Sequence, residues 1–121
     1  MITDKRKIGN FGEKIAEDFL KKKKYKIIAR NFQNKFGEID LIAHDKKGKQ
    51  LVFVEVKLKR DNKFGLPEEE FNFHKKRKLK RVINSFLSNK KMKEENWRVD
   101  LIAIEFKKDL PVIRHYQAVE I

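Results

Sequence analysis

The chain of 121 residues contains no cysteine. Disulfide bonds, thiolate zinc sites and a cysteine nucleophile are therefore excluded, whereas the compartment is left open. Long apolar runs are absent as well: no stretch approaches the roughly 20 apolar residues of a membrane-spanning helix. The N-terminal residues include no apolar run of signal-peptide length. We therefore expect a cytoplasmic protein that does not insert into a membrane.

Motifs for several other chemistries are also missing. The sequence has no serine–histidine–acid arrangement, no glycine-rich phosphate loop and no zinc-ligand spacing. Its three histidines, His44, His74 and His115, are scattered, so structural or exposed positions are expected. The phenylalanines fall mainly at helix-stripe or strand positions, which favours core packing over base stacking. No repeat or low-complexity linker divides the chain, and its length fits a single domain over residues 1–121.

Acidic residues are few relative to basic ones. The chain has 31 Lys and Arg against 18 Asp and Glu, which gives a formal net charge of +13. Such a surface attracts polyanions, chiefly nucleic acid or anionic membrane. A soluble protein of generally lysine-rich composition would show the same excess without either partner.

Hydrophobic periodicity predicts an α/β fold, a mixed sheet flanked by helices in the order α-β-β-β-α-β-β. The predicted elements are an amphipathic first helix that ends in lysines 21–24, strands over Tyr25–Arg30, Gly37–His44 and Gln50–Leu58, a long helix over 68–89, and strands over Trp97–Phe106 and Val112–Val119. The second and third strands should form an antiparallel hairpin, and Pro111 should break the chain before the last strand. Alternation along the second strand divides it into two faces, Ile39, Leu41 and Ala43 against Asp40 and Ile42.

Two acidic residues stand inside this predicted hairpin. Asp40 lies among apolar residues of one strand, and Glu55 lies between two valines of the next. An unpaired buried carboxylate is costly, so each should have a cation, a hydrogen-bond donor or a metal ion as its partner. Glu55 and Lys57 should project from the same strand face, roughly 6.7 Å apart along the chain. Asp40 can lie beside Glu55 across the hairpin.

This convergence suits phosphodiester hydrolysis. Asp40 and Glu55 could hold Mg²⁺ or Mn²⁺, since hard cations prefer oxygen ligands, and such an ion activates both the phosphate and water. The Lys57 ammonium could orient the water or neutralise charge that develops on the phosphate. A salt bridge from Glu55 to Lys57 or Lys59, with Asp40 paired elsewhere, accounts for the same spacing equally well.

Glu13 is a further acidic candidate. It lies on the first helix close to the apolar stripe, from which it could face the sheet. A favourable charge near the helix N-terminus, or a surface pair with a nearby lysine, also explains its position.

The densest basic run extends from His74 to Arg81 and contains no acid. It supplies much of the polar face of the long helix, which could hold phosphates or could simply be solvated. The residues expected to bind nucleic acid are Lys75, Lys76, Arg77, Lys78, Lys80 and Arg81.

The short motifs of this chain, taken together, resemble those of the YraN-like family of small bacterial proteins. They run in order through nearly the whole chain: Gly9-Asn-Phe-Gly12-Glu13, Arg30-Asn31, Gly37-Glu-Ile-Asp40, Val52-Phe-Val-Glu55-Val-Lys57, Phe64-Gly65-x-Pro67 and Arg98-Val-Asp100. The family is similar to archaeal Holliday junction resolvases, within the PD-(D/E)xK nuclease superfamily. The resemblance implies a restriction-endonuclease-like core. It also implies that Glu13, Asp40 and Glu55 are metal-site acids, that Lys57 is the catalytic lysine and that Lys75 matches a basic position of relatives.

One position departs from the family pattern. In relatives the catalytic lysine is usually followed by Thr-Arg, whereas this chain has Leu58-Lys59. This difference could leave the metal site itself intact but calls into question a phosphate contact that would lie beyond it. The first hypothesis is therefore a Mg²⁺-dependent endonuclease that acts on DNA, which is expected more than RNA, with branched DNA among its candidate substrates. By analogy with junction resolvases the resemblance also suggests a homodimer, although no sequence feature identifies the interface.

Two other classes of function are compatible with the charge. The first is a non-catalytic module that binds DNA or RNA and keeps the nuclease fold. The second is a domain that binds anionic membranes or proteins, and it is disfavoured because the core needs the apolar face of the basic helix.

Overall fold

The computed structural model describes residues 5–47, 49–61, 63–90 and 96–121, with side chains from residue 10 onwards. Helix α1 (Lys5–Lys22) is followed by strands β1 (Tyr25–Asn34), β2 (Gly37–Asp45) and β3 (Gln50–Lys59). A 3-10 turn (Pro67–Glu70) leads into helix α2 (Phe73–Asn89), and strands β4 (Trp97–Lys107) and β5 (Leu110–Tyr116) follow. The predicted α/β class and the predicted order of elements are confirmed.

The five strands form one mixed sheet in the order β1-β2-β3-β4-β5. Neighbouring strands are antiparallel except for β3 and β4, which are parallel. A parallel pair needs a crossover connection, which the 3-10 turn and α2 supply. The antiparallel β2–β3 hairpin is present as predicted. Within the described residues, neither helix is long and apolar enough to cross a membrane.

Each face of the sheet is covered by one helix, which produces three layers. Successive side chains of a strand point to opposite faces. Phe53 of β3 therefore packs with α2, whereas Val52 and Val54 pack with α1. The α2 stripe consists of Leu79, Val82, Ile83, Phe86 and Leu87. Burial on both faces explains why β3 and β4 are nearly continuous apolar runs in the sequence.

The predicted start of the second helix is wrong. Helix α2 begins at Phe73 rather than at residue 68. Asn72 caps it, because its side-chain oxygen accepts a hydrogen bond of 3.1 Å from the Lys75 N–H. The residues before this cap form the separate 3-10 turn.

Two strand boundaries also differ from the prediction. β1 continues past Arg30 to Asn34, although Asn31 within it has a φ of +50°. Pro111 does not break the chain but lies inside β5 opposite Phe106. An edge strand tolerates proline because the missing N–H can face away from the sheet. β5 ends at Tyr116 rather than at Val119.

The predicted face of Ile39 is wrong as well. Ile39 packs with Ile42 on the α2 side of the sheet, whereas Leu41 and Ala43 pack on the α1 side. The alternation of β2 is therefore interrupted at Asp40.

Core packing holds for most of the phenylalanines but not for all of them. Phe53, Phe71 and Phe86 are buried. In contrast, Phe64 and Phe73 are 90% and 71% exposed. Both lie outside the regular apolar stripes, between β3 and α2 and at the first position of α2, so the expectation of core packing is wrong for them.

A matched pair of substitutions tests the packing on the α1 side. Ile102 is fully buried there, whereas Ile28 on β1 is 48% exposed. Removal of one buried methylene leaves a small cavity, so Ile102→Val should lower the free energy of unfolding by about 0.5–1.5 kcal/mol. Urea denaturation measures this change. Ile28→Val is the control and should be close to neutral, and equal effects of the two substitutions would contradict the assigned core.

Candidate active site

The ladder between β2 and β3 ends where the two acidic residues begin. The antiparallel register stops at the pair Leu41 and Val54, whereas β3 continues beside β4 as far as Lys59. Past that point the Asp40 carboxylate takes the place of a strand partner, and its Oδ2 accepts a hydrogen bond of 2.8 Å from the Val56 N–H. This bond satisfies a main-chain donor. It also draws the Asp40 side chain toward β3, which accounts for the interrupted alternation.

Glu55 and Lys57 project from the α2 side of β3, because Val56 and Leu58 between and after them pack toward α1. The Lys57 Nζ lies 3.4 Å from the Glu55 Oε1, and the two side chains are 15% and 14% exposed. The structure thus brings Asp40, Glu55 and Lys57 together. The ion pair between Glu55 and Lys57 that the spacing also allowed is present too.

Burial raises the pKa of both carboxyl groups in this pair. For Glu55 burial is the larger cause, and the charge of Asp40 adds to it. Burial likewise raises the pKa of Asp40, although its hydrogen bonds to Glu55 and Val56 and the charge of Lys57 oppose the rise. Two adjacent carboxyl groups resist simultaneous ionisation. A divalent cation would relieve that repulsion.

Helix α1 brings a third acid to the same region. The helix lies so close to β3 that a Cβ at Gly12 would stand 3.2 Å from the Leu58 Cβ. In the next position, the Glu13 Oε1 is buried and has no hydrogen-bond partner among the described residues. Burial, followed by the charges of Asp40 and Glu38, raises the pKa of Glu13 to about 7. A buried carboxylate oxygen without a partner is unfavourable and is suited to a cation.

Sequence reasoning missed Glu38 as a fourth acid at this place. Glu38 lines the same cleft as Asp40 and raises the pKa of Glu13 by its charge. It is exposed and accepts a hydrogen bond of 3.0 Å from the Gln33 side chain. The sequence signal for Glu38 is its spacing of two residues from Asp40, since residues two apart on a regular strand share one face. Among all residues that the structure describes, no three acidic or histidine side chains stand close enough together to hold a metal ion as they are.

These acidic residues line one side of a cleft of about 890 Å³, and helix α2 lines the other side. Lys75 and Lys78 of the helix line this cleft, together with Lys57 and Lys59 of β3. The Lys59 Nζ lies 3.4 Å from the Glu70 Oε1 in the 3-10 turn. The position where the sequence departs from the family pattern therefore still places a cation in the cleft.

The six basic residues predicted to bind nucleic acid occupy three different environments. Lys75 and Lys78 line the cleft. Lys76 has its charged group 5.5 Å from the centre of the Phe71 ring, and Arg81 has its charged group 5.3 Å from the centre of the Phe36 ring. Arg77 and Lys80 are exposed and do not line the cleft.

The raised pKa of Glu13 predicts that this residue destabilises the metal-free fold above acidic pH. The pKa is 4.5 in the unfolded chain and about 7 in the fold. The folded state therefore binds more protons, and stability falls as the pH rises from about 4.5 to about 7. Glu13→Gln should be more stable than wild type at about pH 8 by about 1 kcal/mol, a value reduced for partial solvent screening. The difference should vanish near pH 4, as measured by urea denaturation with a chelator present.

Glu17, one turn later on α1, provides a control of opposite sign. Hydrogen bonds from Arg30 and Lys21 lower its pKa to about 2. Its charge therefore stabilises the fold above pH 4.5, and this stabilisation is lost as the pH falls toward 2. Glu17→Gln should be less stable than wild type at about pH 8. The same direction of change in both variants would contradict the electrostatics described for Glu13.

Comparison with known proteins places the chain in a bacterial family. The model of the uncharacterised protein family UPF0102 matches residues 12–104. A UPF0102 protein of Caldicellulosiruptor saccharolyticus is 46% identical over 101 residues, which cover 84% of each chain. A UPF0102 protein of Carboxydothermus hydrogenoformans is 41% identical over 116 residues, which cover 96% of this chain and 97% of the relative. The YraN-like resemblance is thereby confirmed, and the chain belongs to the UPF0102 family.

Proposed function

We propose that this chain is a metal-dependent endonuclease that binds nucleic acid, DNA in preference to RNA, and hydrolyses phosphodiester bonds in the cleft between β3 and α2. The observation that carries the proposal is the close group of Asp40, Glu55 and Lys57 at this cleft. A purely structural ion pair would need only Glu55 and Lys57. The Asp40 carboxylate adds repulsion to this pair and raises the pKa of Glu55. Such an arrangement at a cleft is typical of functional sites.

The donor set fits Mg²⁺ or Mn²⁺. Asp40 and Glu55 would hold the ion, and the Glu13 Oε1 offers a buried oxygen that lacks a partner. Hard divalent cations prefer such oxygen ligands. When bound, the ion supplies Lewis-acid activation of the scissile phosphate and of water.

Lys57 would act on the substrate. Its side chain is 15% exposed, so the ammonium is partly desolvated and its field is stronger than it would be in bulk water. It would donate a hydrogen bond to the attacking water or to a phosphate oxygen, and it would offset the negative charge that develops in the transition state. Glu55, at 3.4 Å, keeps the ammonium at the cleft side of β3.

The opposite side of the cleft would hold the nucleic-acid backbone. Lys75 and Lys78 project from α2 into the cleft, and Lys59 reaches it from β3. These ammonium groups would neutralise phosphates and so contribute sequence-independent affinity. A cytoplasmic location and a homodimer that cuts two strands symmetrically belong to the same proposal.

Cleavage assays test the proposed activity. Wild-type protein should cut at least one of linear duplex, branched or single-stranded DNA when Mg²⁺ or Mn²⁺ is present. Asp40→Asn, Glu55→Gln and Lys57→Ala should each lower the rate about 100-fold or more, because the first two weaken the metal site and the third removes the ammonium that offsets charge on the phosphate. Lys47→Ala is the matched control, since Lys47 is exposed at the far end of the β2–β3 hairpin. Absence of cleavage of all three substrates with both metals would refute the activity.

The salt dependence of DNA binding tests the role of α2. Lys75→Ala and Lys78→Ala should each reduce the slope of log affinity against log salt by about 0.9 for duplex DNA, since each would remove one phosphate contact. Fluorescence anisotropy at several salt concentrations measures the slope. Lys47→Ala should leave it nearly unchanged, and an equal loss in that variant would indicate diffuse attraction rather than binding in the cleft.

A second candidate function is a non-catalytic module that binds DNA or RNA. The ion pair between Glu55 and Lys57 favours it, because Lys57 already partly neutralises the buried acid. In this case binding would be independent of metal and would survive Asp40→Asn and Glu55→Gln. Binding that is insensitive to salt would rule out both candidates.

A further inference from the structure

Phe64 is the most exposed large apolar side chain in the described part of the protein, at 90%. It lies between β3 and the 3-10 turn. A phenyl ring in water forfeits the favourable free energy of burial. A ligand that covered this ring would therefore gain that free energy.

Two hydrogen bonds between described residues flank this ring. Before the ring, the Asp61 Oδ1 accepts a bond of 3.0 Å from the Lys63 N–H. After the ring, the Glu69 Oε1 accepts a bond of 3.0 Å from the Leu66 N–H. Gly65 has a φ of +105°, a conformation that strains any other residue. In the loop conformation that these contacts support, the Phe64 ring is directed to solvent.

A recess of about 280 Å³ adjoins the ring, and Leu58, Lys59, Arg60 and Asp61 complete its lining. Leu58 and Lys59 also line the cleft that contains the acids. The recess therefore adjoins the candidate active site. Two cationic side chains of the lining, Lys59 and Arg60, outnumber its one acid, Asp61. An aromatic ring in such surroundings complements a nucleotide, because the ring can stack on the base while the excess positive charge attracts the phosphate.

We propose that Phe64 stacks on an unpaired base, so that the preferred substrate contains single-stranded nucleotides, as at a branch point or in a single strand. In an uninterrupted duplex both faces of each base are covered by neighbouring base pairs, and the ring has no face to contact. An unpaired base exposes such a face, and stacking on it tolerates any sequence. This inference rests on the proposed binding of nucleic acid in the cleft, but it does not require cleavage.

Equilibrium binding without metal tests the inference separately from catalysis. A fluorescein-labelled oligothymidylate and a blunt duplex of equal length are titrated with protein in the presence of a chelator. Phe64→Ala should weaken binding of the oligothymidylate by about fivefold to a hundredfold. The affinity of the Phe64→Ala variant for the duplex should change by less than about twofold, because its phosphate contacts are unaltered.

Two further variants sharpen the test. Phe64→Trp should preserve oligothymidylate affinity, and its added fluorescence should be quenched by the stacked base, beyond any change seen for Trp97 in the wild type. Phe73→Ala is the matched control, since Phe73 is 71% exposed but lines neither the recess nor the cleft. It should leave both affinities unchanged.

The outcomes distinguish this inference from the proposed function. If Phe64→Ala binds both substrates as wild type does, or loses both equally, base stacking is refuted while cleavage that depends on Asp40 stands. If Phe64→Ala selectively loses the oligothymidylate but the wild type cuts nothing, the stacking holds and the endonuclease activity fails. If the wild type binds neither substrate without metal, the inference fails and a protein partner becomes the alternative cover for the ring, whereas the endonuclease activity is decided by the cleavage assay with Mg²⁺ or Mn²⁺.

Discussion

The hydrogen bond from the Val56 N–H to the Asp40 carboxylate is the contact on which the rest of the site depends. A regular hairpin would continue its ladder there and would place Asp40 on one face of the sheet. The side-chain bond instead ends the pairing of β2 with β3 while β4 supports β3 on its other edge. A carboxylate is thereby held next to Glu55 without the loss of a satisfied main-chain donor. The cleft opens at this divergence, because α2 borders β3 where β2 no longer pairs with it.

The surrounding fold supports an arrangement that is electrostatically unfavourable by itself. Gly12 allows α1 to approach β3 closely, and the next residue, Glu13, adds a further acid that is partly buried and has one fully buried carboxylate oxygen. The pKa values of Glu13, Asp40 and Glu55 are all raised, with burial as the largest cause. Each raised pKa means that the charged form is destabilised in the fold. The apolar cores on both faces of the sheet must offset this cost, and a bound cation would remove much of it.

Much of the fold could be predicted from the sequence because its signals are local. Period-two and period-3.6 patterns determine the order of elements, and a spacing of two residues on a strand places Glu55 and Lys57 on one face. The errors arose where a single side chain overrides the pattern. Asn72 caps α2 later than the helical periodicity suggests, and Asp40 interrupts the alternation of its strand. Whether a strand lies at the edge depends on the order of strands in the whole sheet. The residues around Pro111 alone could therefore not show that β5 is an edge strand that accommodates a proline.

The central claim is that the carboxylates of Asp40 and Glu55 form a cation site. Calorimetric titration with Mn²⁺ tests it most directly, since it requires neither a substrate nor turnover. We expect a saturable binding event in the wild type that Asp40→Asn and Glu55→Gln both lose and that Glu120→Gln, a change at an exposed acid, retains. Equal binding by all four proteins, or no binding by the wild type, would contradict the claim and would leave these acids with a structural role.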